Sequence, residues 1–402
     1  MGIEKIMRNM KILVFSSVFS RPNYRIGSVW NLKQCQAYVR NGADVLVFSP
    51  VNRVVWPLSL LSKFQVHNEC PQSHILDGIS VDCPSWVYAQ NMRAPFLHLN
   101  VAWRSVKQQV DRIIHEFEPD IVHAHFSMPG GYIARKIFED YGVPYALTDH
   151  NAWIADLALE NHRLGEVYRY AYEKAALPIS ITPYMKEKLL RLAPETRFVD
   201  IYNGTDPISD EILNRPRPSS RSEEFTVFSC GSLNGRKGHE IVIRSFSEFI
   251  KECPHAKLRI AGVGPMESEL RVLMEKLNLS EAVELMGMTA HSDVLQEMVW
   301  ADCFVLASWA EPFATVYLEA MSAGAPMIWT SDGGINAVLV DGQHGVKIEP
   351  KNSDAVLEAL RHLAGDASLR KQISEGNRKY FAENLTWNRA AGLILNEFSK
   401  VI

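Results

Sequence analysis

The sequence predicts an α/β protein with two doubly wound domains, each a largely parallel sheet covered by helices. Strand-length apolar runs alternate with helix-length segments along the whole chain, and the alternation restarts after a polar, proline-rich stretch near the middle. The length of 402 residues is too great for one ordinary domain and suits two of roughly 200 residues each.

The composition narrows the class of protein. Hydrophobic residues at 47% and charged residues at 22% are typical of a soluble globular enzyme. The net charge of -4 argues against a nucleic-acid partner. No apolar run reaches the length needed to span a membrane. The six cysteines have neither a CxxC motif nor metal-ligand spacing, so we expect reduced thiols and a cytoplasmic protein.

In the first half, polar groups follow the predicted strands. His123 and His125 alternate on one strand and so point to the same face of the sheet. We interpret His123 as structural and leave the role of His125 open. The predicted strands of this half are residues 11–16, 45–49, 120–125, 144–150 and 198–202, and the predicted helices are residues 29–41 and 183–194.

Residues 207–224, rich in proline, serine and charge, are the best candidate for a linker. The predicted domains are therefore residues 1–206 and 225–385, with residues 386–402 as a final helix. The predicted strands after the linker are residues 225–231, 257–262, 283–286, 303–308, 327–329 and 345–349. The predicted helices are residues 237–252, 266–277 and 292–300, followed by an almost wholly helical tail from residue 353.

The most informative stretch lies between the strand at 303–308 and Pro326. We predict a three-turn helix that begins near Pro312, which suits a first helical turn, and ends near Gly324. Glu311 would then stand at its N-terminus, with Glu319 about two turns further on the same face. Backbone N–H groups at such a terminus suit a phosphate. The alternative is an amphipathic helix with its glutamates in water.

Glycine-rich loops follow other strands of the second half. Gly231–Gly238 carries Arg236 and Lys237 and suits a diphosphate; alone it reads as a solvated basic turn, but together with the Glu311 helix we favour the phosphate site. Gly262-Val-Gly264 lacks the third glycine of a dinucleotide fingerprint and is weak evidence. Gly333-Gly334 either lines a phosphate or forms a tight turn, and the two interpretations are about even.

These motifs together resemble the retaining glycosyltransferases of family 4, the group 1 glycosyltransferases. The motifs that carry the resemblance are Gly231-x5-Lys237-Gly238, Gly262-x-Gly264-Pro265, Glu311-x7-Glu319, Ala320-Met-x-x-Gly324-x-Pro326, Pro119-Asp-Ile-Val-His-Ala-His125, Gly142-x-Pro144, Thr148-Asp-His150 and Asn203-Gly-Thr-Asp206. The resemblance covers nearly the whole chain. It implies the GT-B fold: two Rossmann-like domains facing each other across a cleft, with the C-terminal helix returning to the first domain.

The resemblance also implies roles for the residues of the donor site. Lys237 would bind the donor diphosphate, Glu319 the ribose hydroxyls and Glu311 the hydroxyls of the donor sugar. Backbone N–H groups near Thr315 and Val316 would receive the diphosphate. The remaining donor-site residues by this resemblance are Gly27, in a loop that closes over the donor, Ser232, Arg236, Phe313 and Ala314. His150 would lie at the reaction centre, which makes His150, Glu311 and Lys237 the candidate catalytic residues.

The chain departs from the family pattern in three places. Ser232 stands where the family usually has arginine, and Arg236 is our candidate for supplying the missing charge. Ala314 replaces a common glycine, and Ala337 replaces a common glutamate. The first departure affects diphosphate binding, and the other two affect how the sugar and its loop are held.

The expected reaction is transfer of a sugar, with retention, from a nucleotide diphosphate sugar to an acceptor hydroxyl in bacterial polysaccharide, glycolipid or glycoconjugate biosynthesis. The chain has no Asp-x-Asp motif, so we expect no metal and no cofactor. The acceptor would be a glycan, a lipid-linked or a small molecule, contacting first-domain loops such as residues 21–28 and 93–102. The alternatives are a sugar-nucleotide epimerase or hydrolase on the same fold, and a non-catalytic nucleotide-sugar-binding protein, which Ser232 supports.

Residues 54–64 form an apolar, aromatic stretch flanked by Arg53 and including Lys63. One hypothesis is a peripheral contact with the inner face of the membrane, where a lipid-linked acceptor would be held. An ordinary buried loop or helix is the favoured alternative, because one short patch is weak evidence.

Overall fold

The computed structural model describes residues 9–22, 29–53, 69–88 and 93–402. The chain divides into two compact units. The first runs to Asn203 and includes Trp387–Ile402, and the second is Gly204–Thr386. Each unit has its own largely parallel sheet with helices packed on it, which confirms the predicted α/β class with two doubly wound sheets.

The first unit contains an eight-stranded sheet in the order β3-β4-β2-β1-β5-β6-β7-β8. Its strands are β1 (Lys11–Phe15), β2 (Asp44–Phe48), β3 (Ser73–Leu76), β4 (Ile79–Asp82), β5 (Ile121–His125), β6 (Tyr145–Thr148), β7 (Leu177–Ser180) and β8 (Val199–Asp200). Only the β3–β4 pair, at one edge, is antiparallel. The chain turns to opposite sides of the sheet between β1 and β5, so the crevice beyond their carboxyl ends is a natural ligand position.

Six helices precede the crossover to the second unit within the described part of the first unit. They are α1 (Val29–Arg40), α2 (Pro95–Glu116), α3 (Tyr132–Tyr141), α4 (Ala152–Glu160), α5 (His162–Glu173) and α6 (Pro183–Leu192). Side-chain caps begin the last three: Asn151, Asn161 and Thr182 each accept a hydrogen bond from a backbone N–H of the helix that follows.

The second unit contains a six-stranded parallel sheet in the order β11-β10-β9-β12-β13-β14. Its strands are β9 (Phe225–Cys230), β10 (Ala256–Ala261), β11 (Val283–Gly287), β12 (Cys303–Leu306), β13 (Met327–Thr330) and β14 (Gly345–Ile348). Counted along the chain, the order is third, second, first, fourth, fifth, sixth. This is the doubly wound arrangement whose ligand crevice lies beyond the first and fourth strands, here β9 and β12.

Seven helices accompany this sheet. Two of them, His239–Glu252 and Ser353–Gly365, each contribute a large side chain to its core. Phe246 and Leu360 are fully buried against Val227, Leu258 and Ile260 of the central strands. Burying one such side chain contributes about 1.5–3 kcal/mol. The helices are α7 (Asp210–Leu213), α8 (His239–Glu252), α9 (Glu267–Lys276), α10 (His291–Trp300), α11 (Val316–Ala323), α12 (Ser353–Gly365) and α13 (Ala367–Asn384).

Residues 207–224, predicted as a linker, lie within the second unit. The guanidinium of Arg221 donates to both carboxylate oxygens of Glu297 at 2.9 and 2.7 Å, and both residues are buried. Arg217 donates to Asp302 and to the carbonyl of Glu224. These bonds attach the segment to the sheet domain, and a composition rich in proline and charge does not reveal them.

The final helix, α14 (Trp387–Phe398), belongs to the first unit, as predicted. It packs on α1, where Arg40 Nε donates to Asn388 Oδ1 at 2.7 Å. Phe398 is buried with its ring beside those of Tyr38 and His123. The chain therefore returns to its first unit after completing the second.

The structure corrects two sequence-based expectations about loops and helix boundaries. Residues 93–102 are not an open loop, because α2 begins at Pro95 and buries Leu99, Trp103 and Val106 at helical spacing. Helix α11 begins at Val316 rather than at Pro312, so Glu311 precedes the helix and does not lie on it. Gly324, in a left-handed conformation with φ of 82°, ends the helix as expected.

Residues 54–64, the hypothetical membrane patch, and Gly27 lie outside the described residues. Among the helices that the structure describes, none is both long and apolar enough to cross a bilayer.

Candidate functional site

The candidate site lies beyond the carboxyl ends of β9 and β12, at the switch point of the second sheet. The loop that follows β9 carries Arg236 and Lys237, and the loop that follows β12 carries Glu311. Glu311 is only 7% exposed. Its Oε1 lies 2.6 Å from Lys237 Nζ and 2.8 Å from Arg236 Nη1. The side chains of Arg236, Lys237 and Glu311 thus meet beyond the carboxyl ends of these strands, and together they carry a formal net charge of +1.

Glycines bring the backbone of the β9 loop close to its neighbours. A Cβ on Gly238, which has φ of 71°, would lie 2.2 Å from the carbonyl oxygen of Ala307 at the end of β12. A Cβ on Gly262 would lie 2.0 Å from the carbonyl oxygen of Gly231. The Trp309 N–H donates to the Arg236 carbonyl at 3.1 Å. The glycines therefore serve close backbone packing, which places the two cations beside Glu311.

The turn at Gly333-Gly334 holds the backbone of Glu311. The Gly334 N–H donates to the Glu311 carbonyl at 2.8 Å, and a Cβ on Gly333 would lie 2.9 Å from the same oxygen. Asp332 Oδ2 accepts from the Ala310 N–H at 3.1 Å, which fixes Ala310 at φ of 55°. The geometry favours the tight-turn interpretation of this motif, because one of its N–H groups is already used to position the carboxylate loop.

Helix α11 starts next to this cluster. Thr315 is its N-cap residue and makes no side-chain cap hydrogen bond, so the positive end of the helix dipole is not capped by that hydroxyl. Phe313 and Ala314, in the approach to the helix, are each 8% exposed. Val316 begins the helix and is half-buried.

Glu319, in the first turn of α11, has a partner that the sequence reasoning missed. Its Oε1 lies 2.9 Å from Nε2 of His291, the first residue of α10. The Glu319 side chain is 19% exposed and that of His291 is 68% exposed. The signal for His291 was its place just after β11, since ligand-contacting residues of such sheets follow the strands.

Ser232 is exposed, and its Oγ accepts from the Asn234 side-chain amide at 3.3 Å. It provides no charge, whereas Arg236 reaches the Glu311 carboxylate directly. The geometry is thus in keeping with Arg236 as the source of the second cation.

His150, the candidate catalytic residue of the first unit, lies beyond β6 in a cluster of rings. Its Nε2 is 3.1 Å from His125 Nδ1, and its ring centroid is 4.0 Å from that of Trp30. Burial, reinforced by the charge of His123, lowers the pKa of His150 to about 3. His150 is therefore neutral at pH 7.

His123 is fully buried between two hydroxyls. Its Nδ1 is 2.9 Å from the Tyr38 hydroxyl and its Nε2 is 2.9 Å from Thr148 Oγ1. Burial lowers its pKa to about 3. Between that value and the unfolded pKa of about 6.5, the unfolded chain binds more protons than the folded chain. Its contribution to stability is therefore complete above pH 6.5 and is lost as the pH falls toward 3.

The carboxyl group of Asp149, next to His150, is also buried. It accepts hydrogen bonds from the backbone N–H groups of Ser127 at 2.9 Å and Asn151 at 3.0 Å. Burial raises its pKa, and those N–H groups oppose the rise. Its effect on stability has the opposite sign to that of His123, since a raised carboxyl pKa favours the folded state at low pH.

A cavity of about 390 Å³ adjoins Asp149 at the switch point of the first sheet. Trp86, Tyr88 and Trp153 form aromatic walls, and Arg21, Asn52 and Asp149 supply polar groups. Aromatic walls with a few polar groups are typical of a small-molecule site. The sequence reasoning missed these aromatic residues, because they come from segments far apart along the chain.

Comparison with known proteins decides the family. A family model described as "Glycosyltransferase Family 4" matches residues 32–208, and one described as "Glycosyl transferases group 1" matches residues 210–380. Together they span both units. The chain belongs to the family 4, or group 1, glycosyltransferases.

Relatives of this glycosyltransferase include TuaC of Bacillus subtilis, whose name links it to teichuronic acid biosynthesis. It is 25% identical over 376 residues, or 91% of this chain and 92% of TuaC. An uncharacterized glycosyltransferase of Methanocaldococcus jannaschii is 27% identical over 295 residues, or 69% of this chain and 75% of its own length.

Solved structures share the GT-B fold of this glycosyltransferase, as predicted. Sucrose-phosphate synthase from Thermosynechococcus elongatus matches with a TM-score of 0.76 at 16% identity, over 98% of this chain and 99% of the other. HepE from Anabaena, in complex with UDP, matches with a TM-score of 0.72 at 18% identity, over 98% and 100%.

Proposed function

We propose that this glycosyltransferase transfers a sugar, with retention, from a nucleotide diphosphate sugar to an acceptor hydroxyl. The observation that carries the proposal is the meeting of Lys237 and Arg236 on Glu311 at the switch point of the second sheet. A net positive cluster beside the start of a helix is suited to a diphosphate.

The donor occupies the second unit in this proposal. Lys237, Arg236 and the N-terminus of α11 bind the diphosphate, and Glu319 binds the ribose hydroxyls. Glu311 contacts the hydroxyls of the sugar once the phosphates have taken over its cations. Negative charge grows on the departing diphosphate during transfer, and fixed cations in a partly buried site stabilise it.

Side-chain cations rather than a metal stabilise the leaving group in this proposal, since the chain has no Asp-x-Asp motif. Retention is inferred from the family resemblance. In a front-face reaction the sugar–phosphate bond breaks as the acceptor oxygen bonds to the anomeric carbon on the same side. The leaving phosphate oxygen takes the proton of the acceptor hydroxyl.

We assign the acceptor to the aromatic cavity of the first unit. Trp86 and Trp153 offer ring faces for the apolar faces of a sugar, and Arg21 and Asp149 are polar groups of the lining that suit its hydroxyls. A glycan or lipid-linked glycan suits this lining, and relatives such as TuaC support a role in bacterial polysaccharide biosynthesis.

A thermal-shift panel of UDP, GDP, ADP and dTDP tests the donor site. We expect one nucleotide to raise the Tm, by an amount that grows with its concentration relative to Kd. Lys237→Met should reduce the shift strongly at the same nucleotide concentration. Lys251→Met, which removes an exposed lysine of α8 from the same unit, should leave it unchanged. If no nucleotide raises the Tm, or if Lys237→Met responds like wild type, the donor-site assignment is wrong.

Product analysis with the matching sugar nucleotide separates the alternatives. A glycosyltransferase consumes the donor and forms a glycoside only when an acceptor is added, and the new bond keeps the anomeric configuration. An epimerase or hydrolase consumes the donor without an acceptor, and a non-catalytic binding protein consumes none.

A further inference from the structure

Two cysteines and a histidine meet at the edge of the first sheet. Sγ of Cys70, Sγ of Cys83 and a ring nitrogen of His74 all lie within 4.8 Å of one another. His74 is on β3, Cys83 follows β4, and Cys70 precedes β3. The spacing along the chain matches no familiar metal motif, so only the fold of the β3–β4 hairpin reveals the cluster.

The three groups are shielded from solvent. Cys70 is 3% exposed and Cys83 is fully buried, and the Cys83 thiol hydrogen-bonds to the Cys70 sulfur. Both ring nitrogens of His74 are buried, and among the described residues neither makes a well-formed hydrogen bond, although the Pro71 carbonyl acts on the ring. His74 as a whole is half-buried, but shielding its two ring nitrogens without a good partner is costly, so this ring points to a ligand.

Arg53 holds the two cysteines at a fixed separation. Its guanidinium donates to the carbonyl of Cys70 and to the carbonyl of Cys83, each at 2.7 Å. The Cys83 N–H also donates to the Gln72 carbonyl at 2.7 Å.

We propose that Cys70, His74 and Cys83 bind a structural zinc ion that closes the β3–β4 hairpin. Two thiolates and one imidazole select Zn²⁺ over Mg²⁺ or Ca²⁺, which prefer oxygen ligands. With Zn–S of about 2.3 Å and Zn–N of about 2.0 Å, tetrahedral ligands lie roughly 3.5–3.8 Å apart, so the cluster contracts by about 1 Å at most. A water molecule completes the four ligands, and the two thiolates neutralise the charge of the ion.

The test uses the tag-free, full-length chain, reduced, equilibrated with Zn²⁺ and desalted before the metal is measured by mass spectrometry. We expect about one zinc per chain. Cys70→Ser, His74→Gln and Cys83→Ser should each retain at least about tenfold less, since even outer partners of a metal site contribute that much affinity. Cys253→Ser removes a half-buried thiol of the second unit and should retain the wild-type amount.

Cobalt substitution reports the ligands directly. The wild-type Co²⁺ protein should show a thiolate charge-transfer band that weakens in each cysteine variant. His74→Cys should keep the metal and strengthen the band, which decides the matter even if a serine variant fails to fold. The proposal is overturned if the wild-type protein holds less than about one tenth of a zinc per chain, or if its cobalt spectrum lacks a thiolate band. It is overturned equally if Cys253→Ser loses as much zinc as the variants of Cys70, His74 and Cys83. It is also overturned by a Cys70–Cys83 disulfide that forms instead of metal uptake.

Discussion

Glu311→Gln and Lys237→Met should separate nucleotide binding from sugar transfer. In the structure Glu311 holds Lys237 at 2.6 Å and Arg236 at 2.8 Å. A diphosphate must compete with this carboxylate for both cations. Glu311→Gln removes the competing charge and leaves the cations, whereas Lys237→Met removes a cation that the phosphate needs.

The two variants differ in the sign of their effect on nucleotide affinity. A hydrogen bond to a charged group contributes about 1.5–3 kcal/mol, so Lys237→Met should weaken binding of the nucleoside diphosphate roughly 10- to 150-fold. Glu311→Gln should leave that affinity unchanged or raise it. It should nevertheless lower kcat/KM for transfer by about 10- to 100-fold, because in the proposed mechanism Glu311 hydrogen-bonds the hydroxyls of the reacting sugar.

Isothermal titration with the nucleotide chosen by thermal shift measures the affinities, and a coupled assay of nucleotide release measures kcat/KM. Lys251→Met is the matched control, because it removes an exposed lysine of the same unit. The reasoning is refuted if Glu311→Gln, with a wild-type melting curve, loses nucleotide affinity as severely as Lys237→Met does. Glu311 would then bind the nucleotide rather than compete for its partners.

Four further predictions follow from the geometry. Glu319→Gln should lower nucleotide affinity about tenfold and reduce discrimination against 2′- and 3′-deoxy nucleotides in titrations, because it removes the charged group proposed to accept from the ribose hydroxyls. Between pH 7 and 5 the free energy of unfolding in urea should fall by about 2 kcal/mol less in His123→Gln than in the wild type, since each pH unit below the unfolded pKa of histidine costs about 1.4 kcal/mol. An equal fall in both proteins would contradict the effect assigned to the burial of His123. Gly238→Ala should destabilise the second unit by about 1–3 kcal/mol in thermal melts and weaken nucleotide binding in titrations. Gly235→Ala is the control and should change neither, because its Cβ would lie 3.8 Å from the nearest atom. Arg221→Met should lower the stability of the second unit by about 3–5 kcal/mol in calorimetry, because the buried Glu297 loses both of its hydrogen bonds to Arg221 and keeps only Arg259, at 3.9 Å. A loss below 1 kcal/mol would mean that residues 207–224 are not anchored by this pair.

Strong periodic segments made most of the fold predictable. Strands such as β1 and β9 are short, almost entirely apolar runs, and helices such as α8 show helical spacing, so their existence follows from the residues. The β3–β4 hairpin was missed although its signal was present. Asp77-Gly78 adopts φ of 47° and 87°, which is the conformation that an Asp-Gly turn between two strands favours.

Tertiary contacts account for what the sequence did not reveal. The start of α2 was expected to be a loop, yet proline suits a first helical turn and the packing of Leu99 stabilises the helix. The pairing of Glu319 with His291 depends on α10 and α11 lying side by side. Burial of Arg221 likewise depends on Glu297, which comes 76 residues later.

The pairing of Glu311 with its cations also depends on topology, and it bears on the departure at Ser232. Loops separated by more than 70 residues meet because β9 and β12 are neighbours in the sheet.

Arg236, four positions after Ser232, reaches that meeting point with a side chain that is 43% exposed and therefore open to an incoming phosphate. Lys237, at 15%, is more tightly enclosed. The loop of Ser232 thus still brings two cations to this point, and one of them is more exposed to solvent than the other. Affinity for the diphosphate should then depend on Arg236 more strongly at low salt than at high salt, since an exposed charge is screened and a buried one much less so. Titrations of Arg236→Ser and Lys237→Met at two ionic strengths test this, and an equal salt dependence of the two losses would contradict it.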